Sequence, residues 1–258
     1  MTLQYVYGIV PAAEANAVDG AAIAGLDGGR VRTIVEGPFA AATSEVSAEE
    51  YGSASLNDRV ADLEWLTPRA ATHQAVNMRL LDVAGTVLPL AFGALYHDDA
   101  RVRGMLREDL SSRSARMREL AGRAEWVVTV SREVSAVAAA DEDVHALEEE
   151  IAKATPGKAF LLERRRASVA SAAGERADAD AARRALALLT PVSERTYREP
   201  VARGGTDVVV LRVSLLAARD RSDAVDGAIA AVREDLAGAG YHVRATGPWP
   251  AYRFGSLP

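Results

Sequence analysis

The alternation of strand-like and helix-like runs after Glu125 constrains this chain more than any other feature. Trp126 to Val130 (WVVTV) is an apolar, β-branched run, a strand signal. A helical pattern follows from Asp141 to Ala154 and stops at Thr155-Pro156-Gly157. Two more helices are predicted, from about Lys158 to Ala172 and from about Asp178 to Leu189. Val192 to Arg198 can form a strand, and Val208 to Leu216 (VVVLRVSLL) carries the strongest strand signal in the chain. Ser222 to Leu236 places Val225, Ile229, Val232 and Leu236 on one helical face, and Gly238 and Gly240 end it. Tyr241 to Thr246 is the last strand. The order β, helices, β, β, α, β is that of a modified ferredoxin-like (βαββαβ) unit with extra helix in its first crossover.

The tail reads Gly247-Pro248-Trp249-Pro250, then Tyr252 and Phe254. Each proline removes a backbone donor and fixes φ, so neither a helix nor a central strand can run through it. An aromatic, proline-stiffened tail directly after a strand is expected to dock.

In the first half, Leu3 to Val10 (LQYVYGIV) reads as a strand ended by Pro11, and residues 12–29, small and Gly-rich, as a loop. Val31 to Val35 and Phe39 to Ser44 read as strands joined at Gly37-Pro38. Val60, Leu63, Leu66, Ala70, His73, Val76, Leu80 and Val83 recur at helical spacing. Within this run Thr67 and Pro68 either start a new helix or kink a continuous one, and Gly85 stops the pattern. Thr86 to Ala91 is a short strand candidate whose Pro89 argues for an edge or a bulge. Ala100 to Leu120 reads as one helix, closed by Gly122. The expected fold class is therefore α+β in two domains: an N-terminal α+β domain, residues 1–121, and a C-terminal ferredoxin-like domain, residues 122–258, that includes the tail.

Composition excludes several classes of chemistry. The 258 residues are 49% hydrophobic, enough for a packed core. Acids exceed bases by 36 to 30, a net charge of −6, and no nucleic acid partner is expected from bulk charge. No cysteine is present, so disulfides, thiolate metal sites and cysteine nucleophiles drop out. No run of about 18 apolar residues occurs, and the N-terminus lacks signal-peptide character, so no membrane span is expected and the cytoplasm is the default location.

Candidate chemical groups are sparse. Of the four histidines, His73 lies on an apolar helix stripe, where a core histidine with a hydrogen-bond partner is expected. His97-Asp98-Asp99 can cap a following helix or contribute to a divalent metal site. Thr155-Pro156-Gly157-Lys158 lacks the remaining phosphate-loop residues and reads as a helix start with Thr155 at its cap. Glu163-Arg164-Arg165-Arg166 reads as a solvated helix face. No nucleophile elbow or dinucleotide fingerprint occurs. No catalytic, cofactor-binding or metal residue is expected.

Five blocks, in order, resemble the gas vesicle accessory proteins of the GvpF/GvpL type. They are YVYGIV (Tyr5 to Val10), WLTPRAATHQAV (Trp65 to Val76), VLPLAFGALY (Val87 to Tyr96), GKAFLLERR (Gly157 to Arg165) and TGPWPAYRF (Thr246 to Phe254). Residues 12–29 and 167–190 show no such match. The resemblance implies two α+β domains, the second a modified ferredoxin-like one, and a non-enzymatic accessory or minor structural role in gas vesicle assembly without a cofactor. It implies a cytoplasmic protein associated with gas vesicles, with the hydrophobic shell protein and other accessory proteins as partners. Trp249, Tyr252 and Phe254 are candidate partner anchors, because aromatic residues dominate interface energetics. The alternative is that the tail packs on its own domain. Rival readings are a ferredoxin-like small-molecule sensor or regulatory module, and a metal-dependent enzyme using His97, Asp98 and Asp99.

Overall fold

The computed structural model describes residues 1–52, 59–133, 142–201 and 207–255. The chain mixes helix and sheet and falls into two compact units, residues 1–125 with 248–258, and residues 126–247.

In the first unit β1 (Thr2–Pro11) leads through a 3-10 turn into α1 (Ala15–Gly20), followed by β2 (Arg32–Glu36), β3 (Phe39–Ser47) and α2 (Ala48–Tyr51). Then come α3 (Leu63–Ala84), the two-residue strands β4 (Leu88–Pro89) and β5 (Leu95–Tyr96), α4 (Asp99–Arg107) and α5 (Leu110–Leu120). The sheet order is β2-β3-β1-β4, with β5 also on β1. Pro89 thus sits in an edge strand, as its missing donor requires. Arg32 and Thr33, adjacent on β2, point to opposite faces because side chains alternate along a strand. Arg32 meets Asp99 of α4 at 2.7 Å, while the Thr33 amide and hydroxyl donate to Asp19 of α1 at 2.7 and 3.0 Å. Helices therefore cover both faces, which is why Leu3 to Val10 is buried without alternation.

Two readings of this half change and one open alternative closes. Residues 12–29 contain α1, held by the buried Val18 and the Asp19 bonds to β2; small residues and glycines hid it. The Thr67-Pro68 alternatives close in favour of one helix: Asp62 caps α3 by accepting from the Glu64 amide at 2.9 Å, and Pro68 lies inside. The single helix expected over 100–120 is two. Asp109 turns the chain at φ 48°, and the buried Arg113 guanidinium donates to the Met105, Leu106 and Glu108 carbonyls at the end of α4.

The second unit contains β6 (Arg123–Glu133, from Trp126 on), α6 (Glu142–Ala152), α7 (Pro156–Leu189), β7 (Arg195–Arg198), β8 (Asp207–Ala218), α8 (Ser222–Asp235) and most of β9 (Tyr241–Trp249). Its sheet order is β7-β8-β6-β9. Trp126, Val128 and Val130 of β6 are buried, as are Val225, Ile229 and Val232 of α8. The two helices expected over 158–172 and 178–189 are one 34-residue helix, α7. Gly174 does not break it. A Cβ there would lie 3.3 Å from Arg132 Nη2, so the glycine admits the β6 guanidinium to the helix surface. One turn on, Asp178 takes Arg132 in a bidentate pair at 2.6 and 2.9 Å and accepts from the Tyr241 hydroxyl at 3.1 Å. β9 continues through Pro248, which an edge strand tolerates.

The last described element is the short α9 (Tyr252–Gly255), which packs on β4 and α5. Residues 248–258, read in sequence with the C-terminal half, group with residues 1–125.

Candidate partner-binding site

Three of the singled-out blocks meet in the first unit around His73. β1 supplies Tyr5 and Tyr7, α3 supplies Trp65, Arg69, His73 and Asn77, and the segment after β4 supplies Leu90, Phe92 and Gly93. The Gly93 amide donates to the Tyr5 hydroxyl at 3.2 Å, and that hydroxyl lies 2.8 Å from His73 Nδ1. His73 Nε2 lies 3.2 Å from the Leu90 carbonyl. A carbonyl only accepts, so the tautomer that satisfies all three carries its proton on Nε2 and takes the Tyr5 proton on Nδ1. Burial pulls the His73 pKa down, against the Leu90 bond, and keeps the ring neutral. Burial likewise raises the Tyr5 and Tyr7 phenols. Tyr7 accepts from the Leu26 amide and meets Ser44 Oγ, both at 2.7 Å. His73 is thus a core histidine with satisfied nitrogens.

Around it lies an aromatic cluster. The Phe92 ring stands edge-on to Tyr5, Trp65 and His73. Arg69 lies 4.5 Å over the Trp65 ring and pairs with Glu50 at 2.6 Å. Gly8 is required beneath α3: a Cβ there would come within 2.7 Å of Asn77 Oδ1 and 2.8 Å of Val87 Cγ2.

The tail closes on the same unit. The Arg253 amide donates to Glu125 Oε2 at 2.8 Å, and Gly255 sits against Pro89 and Leu120. Phe254 is buried. Tyr252 is half-buried, and burial pushes its phenol up to about 12, offset by the Asn77 side chain that faces it. Trp249 is half-buried. Of the candidate anchors, Phe254 is committed to its own unit and Trp249 keeps accessible area.

The remaining block behaves differently. Pro156 starts α7 with Thr155 at the cap position, so Lys158 to Arg165 occupy its first turns. Phe160 is 60% and Leu161 64% exposed, whereas Leu162 is 8% exposed. Successive helical residues lie roughly 100° apart, so three apolar residues in a row cannot share one buried face. That arithmetic was a signal available in the sequence. Lys158, Arg164 and Arg165 are exposed beside the pair, while Arg166 meets Glu148 of α6 at 2.9 Å.

The His97-Asp98-Asp99 run does not gather a metal site. Asp98 accepts from the Arg101 amide at 2.8 Å and caps α4. Asp99 is held by Arg32, whose hydrogen bonds lower its pKa. Among the described residues no group of three or more His, Cys, Asp or Glu can hold a metal ion, and no helix is long and apolar enough to cross a membrane.

Comparison with known proteins agrees with the blocks. The family model described as gas vesicle synthesis protein GvpL/GvpF matches residues 3–256. Gas vesicle protein L of Streptomyces sp. (strain CB03234) is 33% identical over 265 aligned positions, covering 99% of this chain and 93% of that protein. The crystal structure of gas vesicle protein GvpF from Anabaena sp. PCC7120 superposes with a TM-score of 0.77 at 16% identity, covering 100% of both chains. That of GvpF from Microcystis aeruginosa superposes with a TM-score of 0.71 at 14% identity, covering 99% of each.

Proposed function

Because the chain belongs to the gas vesicle synthesis protein GvpL/GvpF family, and so has a role in gas vesicle formation, we propose that it is a non-enzymatic accessory or minor structural protein that binds the small hydrophobic shell protein and works with other accessory proteins at the vesicle. The observation that carries this reading is the exposed Phe160-Leu161 pair. The other apolar positions of the blocks are largely spent on internal packing, and this pair is left in water at the start of a long helix. A hydrophobic shell subunit offers apolar surface before assembly, and each side chain buried against it contributes roughly 1.5–3 kcal/mol. Trp249, half-buried on the first unit, is a separate candidate anchor; Tyr252 and Phe254 act by holding the tail in place.

In this reading the second unit is a modified ferredoxin-like domain. The strand order β7-β8-β6-β9 with α6 and α7 between β6 and β7 supports it. The domain division falls near residue 122, with the tail returning to the first half.

The test is co-expression with the shell protein and affinity capture. The wild type should retain it. The pair Phe160→Ala and Leu161→Ala should lower capture by about tenfold or more, since 1.4 kcal/mol is a factor of ten. Equal capture by a folded double variant would overturn the assignment of this surface.

A further inference from the structure

The outer face of the second sheet, opposite the buried Trp126, Val128 and Val130, is concave. The hollow has a volume of about 660 Å³ and is lined from three strands, including Thr129 and Ser131 of β6, Arg212 of β8, and His242 and Arg244 of β9. This volume lies in the range of small-molecule pockets.

Its charge is one-sided. Neither Arg212 nor Arg244 makes an ion pair among the described residues, and no carboxylate lines the hollow. Glu199, whose amide pairs with the Arg212 carbonyl, accepts from Ser214 Oγ at 3.1 Å. In a chain of net charge −6, two guanidiniums on one concave face, with no carboxylate among the described residues that line it, form a local cationic patch.

The topology brings these cations together. β6 lies between β8 and β9, so Arg212 and Arg244 rise from strands two spacings apart, about 10 Å. Both are long enough to lean inward over the Thr129 and Ser131 hydroxyls. Two guanidiniums, each with its own planar fork of donors, suit a phosphate dianion better than a single carboxylate. The hydroxyls of Thr129, Ser131 and Thr246 offer partners to a sugar, and Val127, Val209 and Val243 offer apolar contact to a planar ring.

We propose that this face binds a phosphorylated small molecule of about nucleoside monophosphate size, with its phosphate held by Arg212 and Arg244 over β6. This site is independent of the Phe160-Leu161 contact, and failure of one leaves the other standing.

The test is calorimetric titration of the full chain with AMP, with adenosine and inorganic phosphate as separate arms. AMP should bind saturably with a Kd of about 1 mM or tighter. Adenosine should not bind, and phosphate should compete. Arg212→Gln and Arg244→Gln should each weaken AMP by tenfold or more with unchanged circular dichroism, and Arg244→Lys should recover part of the loss. No saturable AMP binding, or undiminished binding by both glutamine variants, overturns the proposal. So does retention of a glutamate-rich peptide without AMP binding, which would make the face a protein-docking surface.

Discussion

The Tyr5-His73-Phe92 cluster of the first unit and the first turns of α7 both derive from blocks shared with gas vesicle accessory proteins, yet they treat their aromatic residues in opposite ways. Around His73, Tyr5 and Tyr7 are fully buried and every nitrogen of the imidazole has a partner. On α7, Phe160 and Leu161 stand 60% and 64% exposed. A buried aromatic residue with a satisfied polar end serves the fold that carries it. An exposed apolar pair gains little within its own unit, which is what leaves it available for the proposed shell-protein contact. Membership of a family block does not by itself separate the two cases; burial does.

The strongest way to break this comparison is to remove an aromatic residue from the buried side. Phe254→Ala should destabilise the first unit by about 3–5 kcal/mol, because it empties a packed site between the tail and its own unit. Denaturant unfolding should show a lowered midpoint. An unchanged midpoint would mean that the tail is free to leave and would return Phe254 to the list of partner anchors.

Gly8→Ala comes next, with about 1–3 kcal/mol expected from overpacking, since the new methyl would press on Asn77 Oδ1 and Val87 Cγ2. In an Asn77→Ala background the same substitution should cost less. Equal cost in both backgrounds would locate the strain elsewhere.

The His73 network makes a pH prediction of smaller size. Its folded pKa lies below the ordinary 6.5 because burial disfavours the charged ring. The unfolded chain therefore binds the proton first as pH falls. The stability this histidine supports is complete above 6.5 and is lost as pH drops from there toward the folded value. Thermal melts between neutral and mildly acidic pH should show a decline that His73→Asn flattens. Parallel curves for both proteins would put the protonation elsewhere.

What was legible in the sequence follows the same physical divide. β8 and α8 were readable because their apolar patterns are local and strong. The continuity of α7 was not: the stretch between the two expected helices, 173–177, holds Gly174, and only the fold shows that Arg132, 42 residues earlier, lies against it. The turn at Asp109 was hidden for a similar reason. Only the fold shows that Arg113 reaches back to the Met105 and Leu106 carbonyls of α4 and to that of Glu108 just beyond it. His73 was placed correctly as a core residue, but its partners Tyr5 and Leu90 come from other segments. The tail was legible as a docked element, while the unit it docks on was not, since nothing local in Pro248 to Phe254 names Pro89 or Leu120.

The smallest effect on stability is expected where the effect on binding is largest. Phe160, Leu161 and Leu162 are consecutive on one helix and differ mainly in burial. Phe160→Ala and Leu161→Ala should each change unfolding free energy by no more than about 0.5 kcal/mol, because exposed side chains lose little packing and alanine is the better helix former. Leu162→Ala should cost about 2 kcal/mol or more, as a buried leucine does. Shell-protein capture should show the reverse for the first two, falling sharply in proteins whose melting curves overlay the wild type. If Phe160→Ala destabilises as much as Leu162→Ala, then the pair packs against something within the chain, and the contrast between the two regions collapses into a single structural role.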